Sequence, residues 1–321
     1  MKSMDRNSLR GPLLRSVSRS FYLSLRFLPK PLRDPLSLAY LLARATDTIA
    51  DTTQPPVALR MEALRQLAAA IQGTGSKESV DELRKSFARQ QSDAAERKLI
   101  EQIPEVLKWL DDLPDADREE VRNVLVTINR GQSLDLERFG TGKEIQALQD
   151  AGQLDQYTYL VAGCVGEFWT RLCFRHVKNF SARPEAEMRD LGIRYGKGLQ
   201  LVNVLRDAGD DLRNGRCYFP AAEMESLGVT LAEIRRDPAR IDPVMNKWRD
   251  KAGQGIEAGI EYAAAIRNRR VRFATGLPAM IGARTLALLR EAGPDALQRK
   301  VKVPRAEVRK MILSSALGRA K

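Results

Sequence analysis

Residues 196–220, GKGLQLVNVLRDAGDDLRNGRCYFP, place short carboxylates and amides where long, freely solvated Lys and Glu would be the ordinary choice. At about 100° per residue on a helix, Gln200, Asn203, Asp207 and Asp211 share an arc of roughly 80°. Gly192 and Gly196 extend that line N-terminally, so its upper end carries no side chain to obstruct a ligand. Leu199, Val202, Leu205 and Leu212 occupy neighbouring faces and can pack. A second stripe lies in AYLLARATDTIAD (39–51). There Tyr40, Arg44, Asp47 and Asp51 fall within about 60° of one another. Each stripe carries aspartates at i and i+4, which repel by roughly a few tenths of a kcal/mol when exposed.

A divalent cation converts that repulsion into coordination. Aspartate, asparagine and water suit a hard cation such as Mg²⁺, which keeps several waters and is completed by substrate phosphates. Asp207 and Asp211 are therefore expected to bind metal directly or through water, with Asn203 and Gln200 orienting the ligand or its water shell. One stripe alone fits a solvated helix face equally well. Two in one helical chain point to facing helices that hold a small metal cluster against a diphosphate. Such a site ionises an allylic diphosphate, because metal and cationic side chains stabilise the departing pyrophosphate.

The elements that must position these residues are long amphipathic helices. They are expected at 11–27, 35–51, 57–72, 78–91, 94–112, 116–138, 151–178, 184–212, 243–267, 271–291 and 304–316, with breaks at PKP, TTQPP, QGTGSK, RFGTGK, NFSARPE and REAGPD. Strand alternation is nearly absent, and no linker or repeat divides the chain. The expectation is one all-α domain over 1–321, ending in a basic segment at about 299–321. With aromatics at 6% of the residues, the core must rest on Leu, Ile, Val and Ala.

Composition excludes several classes. No run of about 18 uncharged apolar residues marks a membrane span, and the N-terminus lacks the apolar core of a secretory signal. Cys164, Cys173 and Cys217 have no metal-ligand spacing and suggest reduced thiols in the cytoplasm. The single His176 argues against a histidine metal site or a His-dependent triad. A net charge of +12 favours anionic partners. Basic residues concentrate at 264–272 and 299–310, but without the interleaved aromatics of a single-strand nucleic-acid surface. A solvated face explains them as well as a diphosphate ligand or a membrane surface does, and no nucleic-acid partner is expected.

Four blocks in order, SRSF (18–21), YLLARATDTIAD (40–51), YTYLVAGCVGEF (157–168) and LQLVNVLRDAGDDLRNGRCYFP (199–220), resemble the squalene/phytoene synthases, the head-to-head prenyltransferases. The resemblance implies an isoprenoid-synthase helical bundle around a central cavity. It implies condensation of two prenyl diphosphates through a cyclopropylcarbinyl diphosphate. By it, Asp47, Asp51, Asp207 and Asp211 match the Mg²⁺-binding aspartates, and Gln200, Asn203 and Arg206 the polar residues beside the second pair. Ser18, Arg19, Tyr40 and Arg44 match positions lining the diphosphate site. Tyr157 matches a tyrosine near the reacting carbons. Ala162, Val165 and Gly166 match small residues along the prenyl channel, and Arg216 and Tyr218 a flap after the second motif. Arg284 matches a C-terminal arginine reaching the diphosphate, by a looser alignment shared with Tyr262. Phe21, Tyr22 and Leu25 could close the prenyl pocket.

Thr158 departs from a cysteine common in the family, and DTIAD lacks the extra acid of many eukaryotic squalene synthases. A basic C-terminal segment is expected in place of their membrane helix, able to lie on the inner face of an anionic bilayer. The leading expectation is squalene from two farnesyl diphosphates, with NADPH. Phytoene or dehydrosqualene formation, which needs no reductant, is the alternative. A non-catalytic lipid-binding or assembly factor of the same fold is a third reading, and the presence of all four aspartates argues against it.

Overall fold

Helix starts follow local capping chemistry. The carboxylate of Asp93 accepts hydrogen bonds from the Ala95 and Glu96 amides, Asp150 from Gln153, and Asn268 from Arg270 and Val271. Thr230 and Glu233 cap one another reciprocally. The computed structural model describes residues 5–18, 21–140 and 144–316, and it is all-α apart from one pair of two-residue strands.

The chain divides into two compact units, Met1–Glu137 and Arg138–Lys321. In the first, turns at Arg6–Ser8 and Leu9–Leu13 lead into α1 (Leu14–Ser18) and α2 (Phe21–Phe27). There follow α3 (Lys30–Asp51), α4 (Val57–Gln72), α5 (Lys77–Ala88), α6 (Ala94–Glu101), α7 (Ile103–Asp111) and α8 (Asp115–Phe139). The boundary falls inside α8, where no change of composition marks it. The expected helix at 94–112 is two helices. Pro104 has no amide to donate back to residue 100, so α6 ends and α7 restarts with the proline in its first turn. Helix α3 packs against α4, α6 and α7. It contributes Leu38, Leu41, Leu42 and Ile49, all fully buried. Burying one such side chain stabilises the fold by about 1.5–3 kcal/mol.

The second unit runs β1 (Gln146–Ala147), α9 (Ala151–Thr158), a wide π-helical turn (Tyr159–Gly163), α10 (Cys164–His176), α11 (Glu185–Arg213) and β2 (Arg216–Cys217). It continues with α12 (Ala221–Glu225), α13 (Leu231–Arg236), α14 (Asp242–Ala265), α15 (Arg269–Ala292) and α16 (Arg305–Ala316). The strands pair in parallel, Gln146 with Arg216 and Ala147 with Cys217. Helix α11 is central, between α10 and α14, and α15 packs on α14.

Glycines set these helix contacts, which corrects one expectation. Gly192 and Gly196 do not leave open space for a ligand. A Cβ on Gly196 would stand 2.2 Å from the Ala162 carbonyl oxygen, and one on Gly192 would stand 2.8 Å from that of Gly166. The backbone of α11 touches that of the π turn and of α10 there. Gly198 meets Gly255 of α14 in the same way, with a Cβ only 2.6 Å from its backbone.

Candidate active site

In the first unit the candidate stripe lies on the C-terminal half of α3. Burial of Leu41, Leu42, Ala45 and Ile49 leaves Tyr40, Arg44, Asp47 and Asp51 partly or fully exposed. The Arg44 guanidinium donates to Asp47, one turn on, and to Glu96 in the first turn of α6. Burial opposes its charge, but Asp47 and Glu96 outweigh that and hold its pKa above the usual value. The Asp47 carboxyl is pushed above its ordinary range, first by burial and then by Asp51, against the pull of Arg44. Its side chain keeps 43% of its accessible surface, so a ligand can reach it. In the cation-free protein this carboxyl costs stability when ionised. That cost is present above its raised pKa and is relieved as the pH falls through it.

The end of α3 is anchored by buried polar groups. Arg60 donates to the Ala50 carbonyl at 2.9 Å, Gln91 to the Thr52 hydroxyl at 2.8 Å, and Thr52 to the Thr48 carbonyl at 2.7 Å. These bonds fix the turn that carries Asp51. Tyr40 donates to the Val17 carbonyl at 3.2 Å and stacks on Phe21 with ring centroids 5.5 Å apart. The buried Ser18 hydroxyl donates back to the Leu14 carbonyl. Arg19 lies outside the described residues. Leu25 is a core residue, 2% exposed. Tyr22 lines an open cavity of about 560 Å³ with Gly11, Pro12, Arg15 and Ser16.

In the second unit the stripe lies on α11. Leu201, Val202, Leu205, Ala208 and Leu212 are buried, while Gln200, Asn203, Arg206, Asp207 and Asp211 remain partly exposed. Arg206 grips Asp207 with two bonds, of 2.9 and 2.5 Å. Asn203 donates to Gln200 at 3.3 Å, and Gln200 to the Tyr157 hydroxyl at 3.4 Å. The Tyr157 ring stacks on Tyr218 at 4.8 Å, and Phe139 meets the edge of that ring pair at 5.1 Å from Tyr218. Arg216 sits on β2, two residues before Tyr218. The structure thus gathers Tyr157, Gln200, Asn203 and Tyr218 into one polar-aromatic run beside the acid pair.

The π turn after Tyr157 inserts one residue, which rotates α9 relative to α10. Tyr157 can then face Gln200 while Gly166 faces α11. A Cβ on Gly166 would lie 1.9 Å from the Gly192 carbonyl oxygen, so close packing accounts for this glycine. Ala162 and Val165 remain partly exposed. Arg284 is engaged by acids, Glu307 at 2.8 Å and Glu291 at 3.2 Å. Tyr262 is a core residue, 1% exposed, sharing a hydrogen bond of 2.8 Å with Thr170. The three cysteines are free and buried, and burial pushes the Cys164 and Cys217 thiols up to about 12.

Glu96 is the residue that sequence reasoning missed. The stretch SDAAER reads as a helix start, where an acid complements the helix dipole. That local explanation hides a partner 52 residues away.

Comparison with known proteins places this geometry. The chain is 28% identical over 244 residues to a bifunctional lycopene cyclase/phytoene synthase of Phaeosphaeria nodorum, covering 74% of this chain and 38% of that protein. It is 26% identical over 306 residues to a squalene synthase of Gibberella zeae, covering 93% of this chain and 62% of that protein. The chain therefore spans less than two thirds of the length of both, 38% and 62%. The solved structure of TcSQS with the ligand BPH1237 shares the fold, with a TM-score of 0.78 at 22% identity over 96% of this chain and 86% of that one. Residues 14–307 match the family model for squalene/phytoene synthase, and the chain belongs to that family.

Proposed function

We propose that this chain is a prenyltransferase that joins two farnesyl diphosphates head to head with Mg²⁺ and carries the product on to squalene with NADPH. The observation that supports this reading is an arrangement made twice. On α3, Arg44 holds the first aspartate and a second follows four residues on. On α11, Arg206, Asp207 and Asp211 repeat the pattern.

The residues fit a hard cation. Burial first, and then Asp51, push the Asp47 carboxyl toward its neutral form, and a bound cation would offset the repulsion between the two acids. Among the described residues no three or more carboxylate, His or Cys side chains converge to hold a metal. Each aspartate pair would supply two ligands, and water and diphosphate oxygens the rest. Bound Mg²⁺ would neutralise the charge on the departing diphosphate.

The chain's own residues do the remaining work. Arg44, Arg206 and Arg216 would carry positive charge to the diphosphate oxygens. The C1–oxygen bond of one substrate breaks and pyrophosphate leaves with the electron pair. The allylic cation alkylates the double bond of the second substrate, and loss of one proton to the released pyrophosphate closes a cyclopropane. The Tyr157 ring, fixed by Tyr218 and Gln200, would stabilise the cation. Ala162 and Val165 would line the hydrocarbon.

Relatives of both kinds, squalene and phytoene synthases, match this chain, so a second reading ends in proton loss rather than reduction. Incubation of purified protein with farnesyl diphosphate and Mg²⁺, with and without NADPH, separates the two by product mass. The leading reading expects squalene only when NADPH is present. A desaturated product formed equally well without it would select the second.

A further inference from the structure

The end of the second unit farthest along α11 from Asp207 is built from two connections. Ser181 bridges Ile266. The Arg267 amide donates to the Phe180 carbonyl at 2.9 Å, and the Ala182 amide to that of Ala265 at 3.0 Å. The α10–α11 and α14–α15 connections therefore form one surface. Together residues 175–187 and 261–272 carry seven basic side chains against three acidic ones. Of the acids, Glu261 is paired with Arg183 at 2.6 Å. Glu185 and Glu187 occupy the first turn of α11, where the helix dipole favours them.

Local stability does not account for the arginines. Arg269 and Arg270 open α15, where the dipole opposes cations. Asn268 already caps that helix. Arg272 is committed to the Ile266 carbonyl at 2.7 Å. Lys178, Arg267, Arg269 and Arg270 are exposed. On the adjoining end of α14, Ile260 is 52% exposed, and Ala264, one turn on, is exposed as well.

We propose that this basic end docks on an anionic lipid bilayer. Each arginine or lysine brought to such a surface adds attraction that salt weakens. The placement rests on the reading above. From Glu185 to Asp207, α11 extends about 33 Å. Docking at this end would bring the water-insoluble product of that reading close to lipid. The patch lacks the aromatic platforms of a single-strand nucleic-acid surface.

Flotation of the full chain with vesicles tests this. One set is phosphatidylcholine alone, and the other includes phosphatidylglycerol. The wild type is expected to float only with the anionic vesicles, less so in high salt. R267Q/R269Q/R270Q, shown to be folded by circular dichroism, should bind them about 100-fold more weakly. Its turnover with detergent-dispersed substrate should be unchanged. R305Q/R309Q/K310Q in α16 should float like the wild type. Equal flotation of the first variant, loss in the second instead, or wild-type binding to duplex DNA but not to anionic vesicles would each overturn the proposal. Flotation needs no substrate, so this result stands or falls separately from the condensation assay.

Discussion

Asp47→Asn or Asp207→Asn is expected to lower turnover of farnesyl diphosphate by about 10³-fold or more, with circular dichroism and melting temperature little changed. Lewis-acid stabilisation of a leaving group contributes several kcal/mol, and each 1.36 kcal/mol is about tenfold in rate. An amide keeps the shape of the carboxylate but loses the charge a hard cation requires. Stability should hold, because neither side chain is a core residue. Asp47 keeps 43% of its side-chain surface and Asp207 33%. Asp47→Asn should even relieve the repulsion from Asp51. Undiminished turnover in both variants would remove the metal assignment. Collapse of both would make the aspartates structural.

Gly166→Ala is expected to destabilise the protein by about 2 kcal/mol or more, a fall of roughly 4–8 °C in melting temperature. The added Cβ would lie 1.9 Å from the Gly192 carbonyl oxygen, so α10 and α11 must separate. Better helix propensity returns about 1 kcal/mol, too little to offset that. If Gly166 instead faced a prenyl chain, the same variant would melt normally and change only product length. Thermal denaturation followed by far-UV circular dichroism decides between the two.

Much of this was legible in sequence, for a definite reason. Helical periodicity sorts residues by face, so burial of Leu41, Leu42, Ala45 and Ile49 follows from the same spacing that exposes Asp47 and Asp51. Gln200 and Asn203 share a face by spacing, and the structure shows them bonded. Other features depend on long-range contact. Glu96 meets Arg44 only because α6 packs on α3. A glycine is ambiguous by nature, since a missing side chain can leave open space or admit a neighbouring backbone. Gly192 and Gly196 read as the first and are the second. The paired strands are two residues each, too short for alternation to register. Arg284 carried a plausible motif, yet its acid partners lie on α15 and α16.

Binding of a thiolo analogue of farnesyl diphosphate, which cannot ionise, tests the central claim most directly when titrated calorimetrically with Mg²⁺ and with a chelator. The account predicts tight binding that needs Mg²⁺, weakens as the pH falls and Asp47 takes up a proton, and is lost in Asp47→Asn and Asp207→Asn. Equal affinity with the chelator present, undisturbed by either substitution, would contradict it.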